Sequence, residues 1–108
     1  MNVFFDVETS GLFVGKMGEK NSRILKISAV KTDENNDITD RFDTFVACGD
    51  YIPKPVREIT GITPETLKGA PRTRTALKLF KKFVNGCALV SYNISFDMSF
   101  LNFYGAKY

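Results

Sequence analysis

A mixed α/β sheet with helices packed against it is the fold class this sequence predicts, and three observations carry the prediction. Residues 2–7, 25–29 and 38–46 form short apolar or alternating runs of the kind strands show. Residues 73–85 repeat apolar side chains at helical spacing. Finally, the three-residue apolar run Ala88–Val90 leads into a second helical pattern at 95–104.

Taken in order, residues 2–7 read as a buried central strand, because Val3, Phe4, Phe5 and Val7 leave no polar face until Asp6. Residues 12–23 are polar, dotted with Gly15 and Gly18 and free of periodicity, which predicts a mobile loop. Leu25, Ile27 and Ala29 alternate with Lys26 and Ser28 as in a half-exposed strand, and residues 38–46 repeat the pattern. Between them "DENND" at 33–37 has turn chemistry, so the two strands form a hairpin. Residues 51–71 hold Pro53, Pro55, Pro64 and Pro71 and cannot sustain a long helix. Within them Thr63, Pro64 and Glu65 have the form of one capped helical turn. Ala76, Leu77, Phe80, Phe83 and Val84 mark an amphipathic helix that Gly86 ends. Ala88–Val90 reads as a short buried strand, and Phe96, Phe100 and Phe103 fall on one stripe of the last helix.

The chain of 108 residues has room for one domain with one core, and 44% hydrophobic residues, with ten Phe among the 108, can fill it. No apolar run approaches the ~20 residues that span a bilayer, and no basic segment precedes an apolar one at the N-terminus. The expectation is a cytoplasmic protein without a membrane partner. Cys48 and Cys87 are far apart and lack metal-site spacing, so reduced, packed thiols are expected. A net charge of +3 permits contact with phosphates without requiring it.

Asp6 and Glu8 close the first strand. Side chains at i and i+2 of a strand share a face, with α-carbons roughly 6.5 Å apart. Two such carboxylates repel, and burying them is costly unless a cation or hydrogen bonds compensate. Donor sets made only of oxygen suit Mg²⁺ or Mn²⁺, and two such ions ~3.5–4 Å apart can clamp the attacking and leaving oxygens of phosphoryl transfer. A solvated pair at a fraying strand end is the plain alternative. A third acid, Asp97, falls in the first turn of the last helix, where the helix dipole also favours an anion. If Ala88–Val90 pairs parallel to the first strand after a helical crossover, the carboxyl ends of both strands share one edge, and Asp97 faces Asp6 and Glu8.

"FDVETSGL", "TGITPETLKGAP" and "SYNISFDMSFL" resemble, in that order, the first motif, the connecting segment and the second motif of the DEDD (DnaQ-like) 3′–5′ exonuclease superfamily. The closest likeness is to the proofreading exonuclease (epsilon) subunit or domain of bacterial DNA polymerase III. The resemblance implies a ribonuclease H-like fold, a two-metal site for Mg²⁺ or Mn²⁺, and release of nucleotides from the single-stranded 3′ end of DNA or RNA, with a DNA polymerase as a partner. It implies Asp6, Glu8 and Asp97 as catalytic metal ligands, and Thr9, Ser10, Gly11, Leu12, Asn93 and Phe96 as contacts to the substrate strand. Gly61 and Ile62 match a signature read as structural. Tyr92 stands where relatives commonly carry His.

The family pattern also calls for a third motif, with a His or Tyr base and a fourth Asp on a later helix. This chain has no histidine and its last residue is Tyr108. Residues 1–108 are therefore expected to be the N-terminal portion of a single exonuclease domain, incomplete at its C-terminus and inactive or weakly active alone. An unpaired edge on the strand at Ala88–Val90 would invite self-association. The alternative is a degenerate, noncatalytic domain that binds nucleic acid or a replication protein.

Overall fold

The computed structural model describes residues 1–16, 20–49 and 51–107, so Gly18 and Tyr108 lie outside the described residues. Three long strands and one short one build the sheet. β1 (Asn2–Thr9) pairs antiparallel with β2 (Ile24–Thr32), and β2 pairs antiparallel with β3 (Ile38–Phe45). β4 (Ala88–Val90) joins the other side of β1 in parallel, giving the order β3-β2-β1-β4. Among the described residues four helices complete the fold: α1 (Lys54–Thr60), α2 (Pro64–Leu67), α3 (Thr73–Val84) and α4 (Ile94–Lys107).

Local chemistry accounts for each joint. The β2–β3 hairpin closes on Asp33, whose Oδ1 accepts from the N–H groups of Asn35 and Asp37 at 2.9 and 3.0 Å, while Asn36 takes the left-handed conformation at φ 64°. The proline-rich segment, rather than staying irregular, makes two short helices. Pro55 occupies the first turn of α1, where its missing N–H costs nothing. Gly61 ends that helix at φ 72°, with its N–H bonded to the Arg57 carbonyl at 2.8 Å. Thr63 and Thr66 then cap α2 reciprocally through side chain and backbone. The sequence pattern missed α1 because Pro53 and Pro55 mask a seven-residue helix that buries no residue of its own.

Val3, Phe5 and Val7 of β1, with Ile27 and Ala29 of β2, form the covered face of the sheet, against Ala76 and Phe80 of α3 and Phe100 and Tyr104 of α4. The Phe80 ring stands 5.6 Å from that of Phe5 and 5.7 Å from that of Phe42. A second small core gathers Leu25, Ile52, Ile62 and Leu67 under α1 and α2.

Two burial expectations are corrected. Phe4 is 42% exposed, so β1 is central in its hydrogen bonding yet covered on one face only at that point. β4 is an edge strand with Ala88 and Val90 exposed, because no described strand pairs with its outer side. The described residues between 12 and 23 do lack regular structure, but they are tied by hydrogen bonds from Ser10 N–H to the Arg23 carbonyl at 2.9 Å and from Ser22 N–H to the Phe13 carbonyl at 2.8 Å. Since Phe80 bridges sheet and hairpin, Phe80→Ala is expected to remove about 3–5 kcal/mol of stability, read from the urea midpoint; a loss under 1 kcal/mol would contradict this packing.

Candidate active site

The parallel pairing of Phe4 with Val90 and of Val3 with Leu89 aims both strands at the same edge of the sheet. From that edge β1 continues through Asp6 and Glu8, while β4 gives way at Ser91 to the turn that starts α4. Asp6 is exposed opposite Ser28 of β2, and Glu8 is half-buried opposite Lys26. Asp97 lies one turn into α4 and is 3% exposed. Its N–H makes the first helical bond to the Asn93 carbonyl at 3.1 Å, and its carboxylate accepts a short hydrogen bond from the Ser91 hydroxyl.

The three acids share one electrostatic neighbourhood. Burial raises the Glu8 carboxyl above the ordinary carboxylate range, and repulsion from Asp6 and Asp97 adds to this against the attraction of Lys26. Burial likewise raises Asp97, with Asp6 adding to the effect and the Ser91 hydroxyl opposing it. The folded chain thus holds negative charge where it is disfavoured. Oxygen-only donors of this kind suit a hard divalent cation, which would relieve both burial and repulsion. Among the described residues, however, no three such side chains are grouped so as to hold a metal ion as they stand.

The remaining sequence-selected residues surround this edge in differing roles. Thr9 Oγ1 donates to the Gly11 carbonyl at 2.7 Å, and Ser10 Oγ accepts from the Arg23 N–H at 2.7 Å, so both hydroxyls close the loop after β1. A Cβ at Gly11 would meet the Ser22 hydroxyl, which would have to rotate away to admit it. Leu12 is 69% exposed beside Phe13, and Asn93 is exposed in the turn before α4. Phe96 is half-buried, its ring 5.1 Å from that of Phe100, which anchors it to the core. Tyr92 is fully exposed.

Ser91 and Lys26 escaped the sequence reading. The strand register could have revealed Lys26, since it faces Glu8 across the β1–β2 ladder. Nothing in the pattern singles out Ser91, a small polar residue between a strand and a helix. A further clasp was also invisible: Tyr104 donates to the Ser22 carbonyl at 2.5 Å and lies under the Arg23 guanidinium, which reaches Thr73 Oγ1 at 3.0 Å.

The sequence profile described as "Exonuclease" matches residues 3–108. The chain belongs to the exonuclease family. Among curated relatives, this exonuclease-family chain is 40% identical over 100 residues to the PolC-type DNA polymerase III of Halalkalibacterium halodurans, which covers 93% of the chain and 7% of that polymerase. It is 37% identical over 99 residues to the PolC-type DNA polymerase III of Clostridium perfringens, with 92% and 6% covered. The chain thus spans a small fraction of the length of these relatives. Its fold is similar to the nuclease domain of 3'hExo, a DEDDh family member solved bound to rAMP, with TM-score 0.77, 19% identity, and 97% of this chain and 57% of that one covered. Exonuclease I of E. coli, solved with a dT13 oligonucleotide, gives TM-score 0.74 at 22% identity, covering 92% and 22%. The α/β architecture is therefore ribonuclease H-like, as the motifs implied.

Because Glu8 and Asp97 titrate high in the folded state, their ionised forms oppose folding, and stability falls as pH rises from the unfolded carboxylate range of about 4 through the raised folded values. Glu8→Gln and Asp97→Asn are therefore expected to raise Tm at pH 7 in a chelator, with the gain vanishing below about pH 4. A lowered Tm for both at pH 7 would contradict this reading of the site.

Proposed function

We propose that residues 1–108 are the N-terminal portion of a single exonuclease domain whose activity is metal-dependent 3′–5′ hydrolysis of single-stranded DNA ends. The observation that carries the reading is the electrostatic coupling of three carboxylates at the shared carboxyl edge of β1 and β4. Asp6, Glu8 and Asp97 would hold Mg²⁺ or Mn²⁺ once drawn together by the ion, with Ser91 orienting Asp97. A bound divalent cation would polarise the scissile phosphate and lower the pKa of attacking water. Hydrolysis adds that water's oxygen to phosphorus and breaks the bond to the 3′ oxygen, releasing a nucleoside monophosphate. Thr9, Ser10, Gly11 and Leu12 flank the strand's terminal nucleotide on one side, and Asn93 and Phe96 lie on the other. Exonuclease I of E. coli, solved with a dT13 oligonucleotide, and the PolC-type polymerase relatives support single-stranded DNA as substrate and a polymerase as the setting.

The sequence holds no histidine, and the Tyr104 hydroxyl is committed to the Ser22 carbonyl, so neither supplies a general base. Turnover by these 108 residues is accordingly slow, and cation binding is the more direct test. At a hundredfold excess over its Kd, Mn²⁺ is expected to raise Tm by roughly 10 °C, and Asp6→Asn to abolish the shift. An unchanged shift in Asp6→Asn would sink the ligand assignment. Any release of 3′-terminal nucleotides from a labelled single-stranded oligonucleotide is expected to stop with EDTA or Asp6→Ala. Pairing of a second copy on the open edge of β4 is tested by sedimentation at micromolar concentration, where a clean monomer would exclude it.

A further inference from the structure

On the side of the sheet carrying the main core, α3 and α4 leave a groove of about 360 Å³ between them. Its floor is apolar, made by Leu77 and Val84 of α3, Leu89 of β4, and Met98 and Leu101 of α4. Arg74, Lys78 and Lys81 stand along one rim at positions i, i+4 and i+7 of α3, all exposed. No carboxylate lines the groove among the described residues, and α3 contains no acidic residue at all. The three cations have no ion-pair partner among the described residues. At the far end Gly105 leaves a notch, since a Cβ built there meets nothing within 4 Å. None of these residues belongs to the acidic edge or to the loops around it.

We propose that this groove docks an acidic amphipathic helix of another protein, apolar side chains into the floor and carboxylates along the Arg74–Lys78–Lys81 rim. Charge complementarity selects the occupant. A second copy of this chain, with its net charge of +3, would bring the same cationic rim against itself. A nucleic-acid strand would satisfy the rim yet gain nothing from an aliphatic floor, since the one ring lining the groove, Phe80, is 3% exposed and offers no stacking face. A helix laid along two others matches the groove's shape, with anchors at i, i+3 or i+4, and i+7.

The test is fluorescence anisotropy with a labelled amphipathic peptide carrying Leu on one helical face and Glu on the other. Binding is expected to weaken with salt, to fall about tenfold in Lys78→Glu/Lys81→Glu, and to be lost in Gly105→Leu, which fills the notch. Both variants alter exposed positions, and circular dichroism checks that they remain folded. Equal binding of the peptide with Lys in place of Glu would overturn the proposal, as would unchanged affinity in the charge-reversed chain. Displacement of the peptide by a single-stranded DNA oligonucleotide would assign the groove to nucleic acid instead, and a dimer dissociated by Gly105→Leu would assign it to a second copy.

Discussion

Three residues of parallel pairing between β1 and β4 hold the two halves of the candidate site together. Everything acidic on β1 comes from the first nine residues, and the third acid arrives some ninety residues later on α4. Only the alignment of Asn2, Val3 and Phe4 with Ala88, Leu89 and Val90 brings the two ends to the same rim. The short ladder is secured from one side, where Phe5 packs on Phe80 and Val3 sits fully buried, so the core beneath the sheet fixes the position of the chemistry above its edge.

What that alignment creates is a local conflict that the rest of the fold tolerates. Two carboxyls, Glu8 and Asp97, are raised by burial and by the charge of Asp6, while Lys26 beside Glu8 and the Ser91 hydroxyl on Asp97 offset the cost without removing it. Concentrations of disfavoured charge of this kind are where functional sites differ from structural ion pairs. The ion pair of Lys54 with Glu58 at 3.9 Å on α1 is exposed and shows the contrast, being a surface contact of little consequence for stability.

Strong periodicity made most of the architecture legible. The apolar repeat of α3, the Asx-type hairpin turn at Asp33 and the brief strand before Ser91 each have a local physical cause that needs no tertiary information. The positions of Asp6 and Glu8 at the end of β1 and of Asp97 in the first turn of α4 were legible for the same reason. Exposure was harder to read. Phe4 lies between apolar neighbours in a strand paired on both sides, and yet its side chain stays half open. The helix at Lys54–Thr60 was obscured by prolines that serve as its start and lead-in, and the contribution of Ser91 depends on a helix turning back towards it.

The clasp of Tyr104 on Ser22 gives α4 a second duty. The same rigid rod presents Asp97 near its beginning and, seven residues or about 10 Å further on, grips the base of the loop that carries Gly11 and Leu12. A tilt of this rod therefore cannot widen the gap at one end without dragging on the other. Acid and loop are geared to one another, and pressure on the outward side of α4 would be felt by both flanks of the cleft at once.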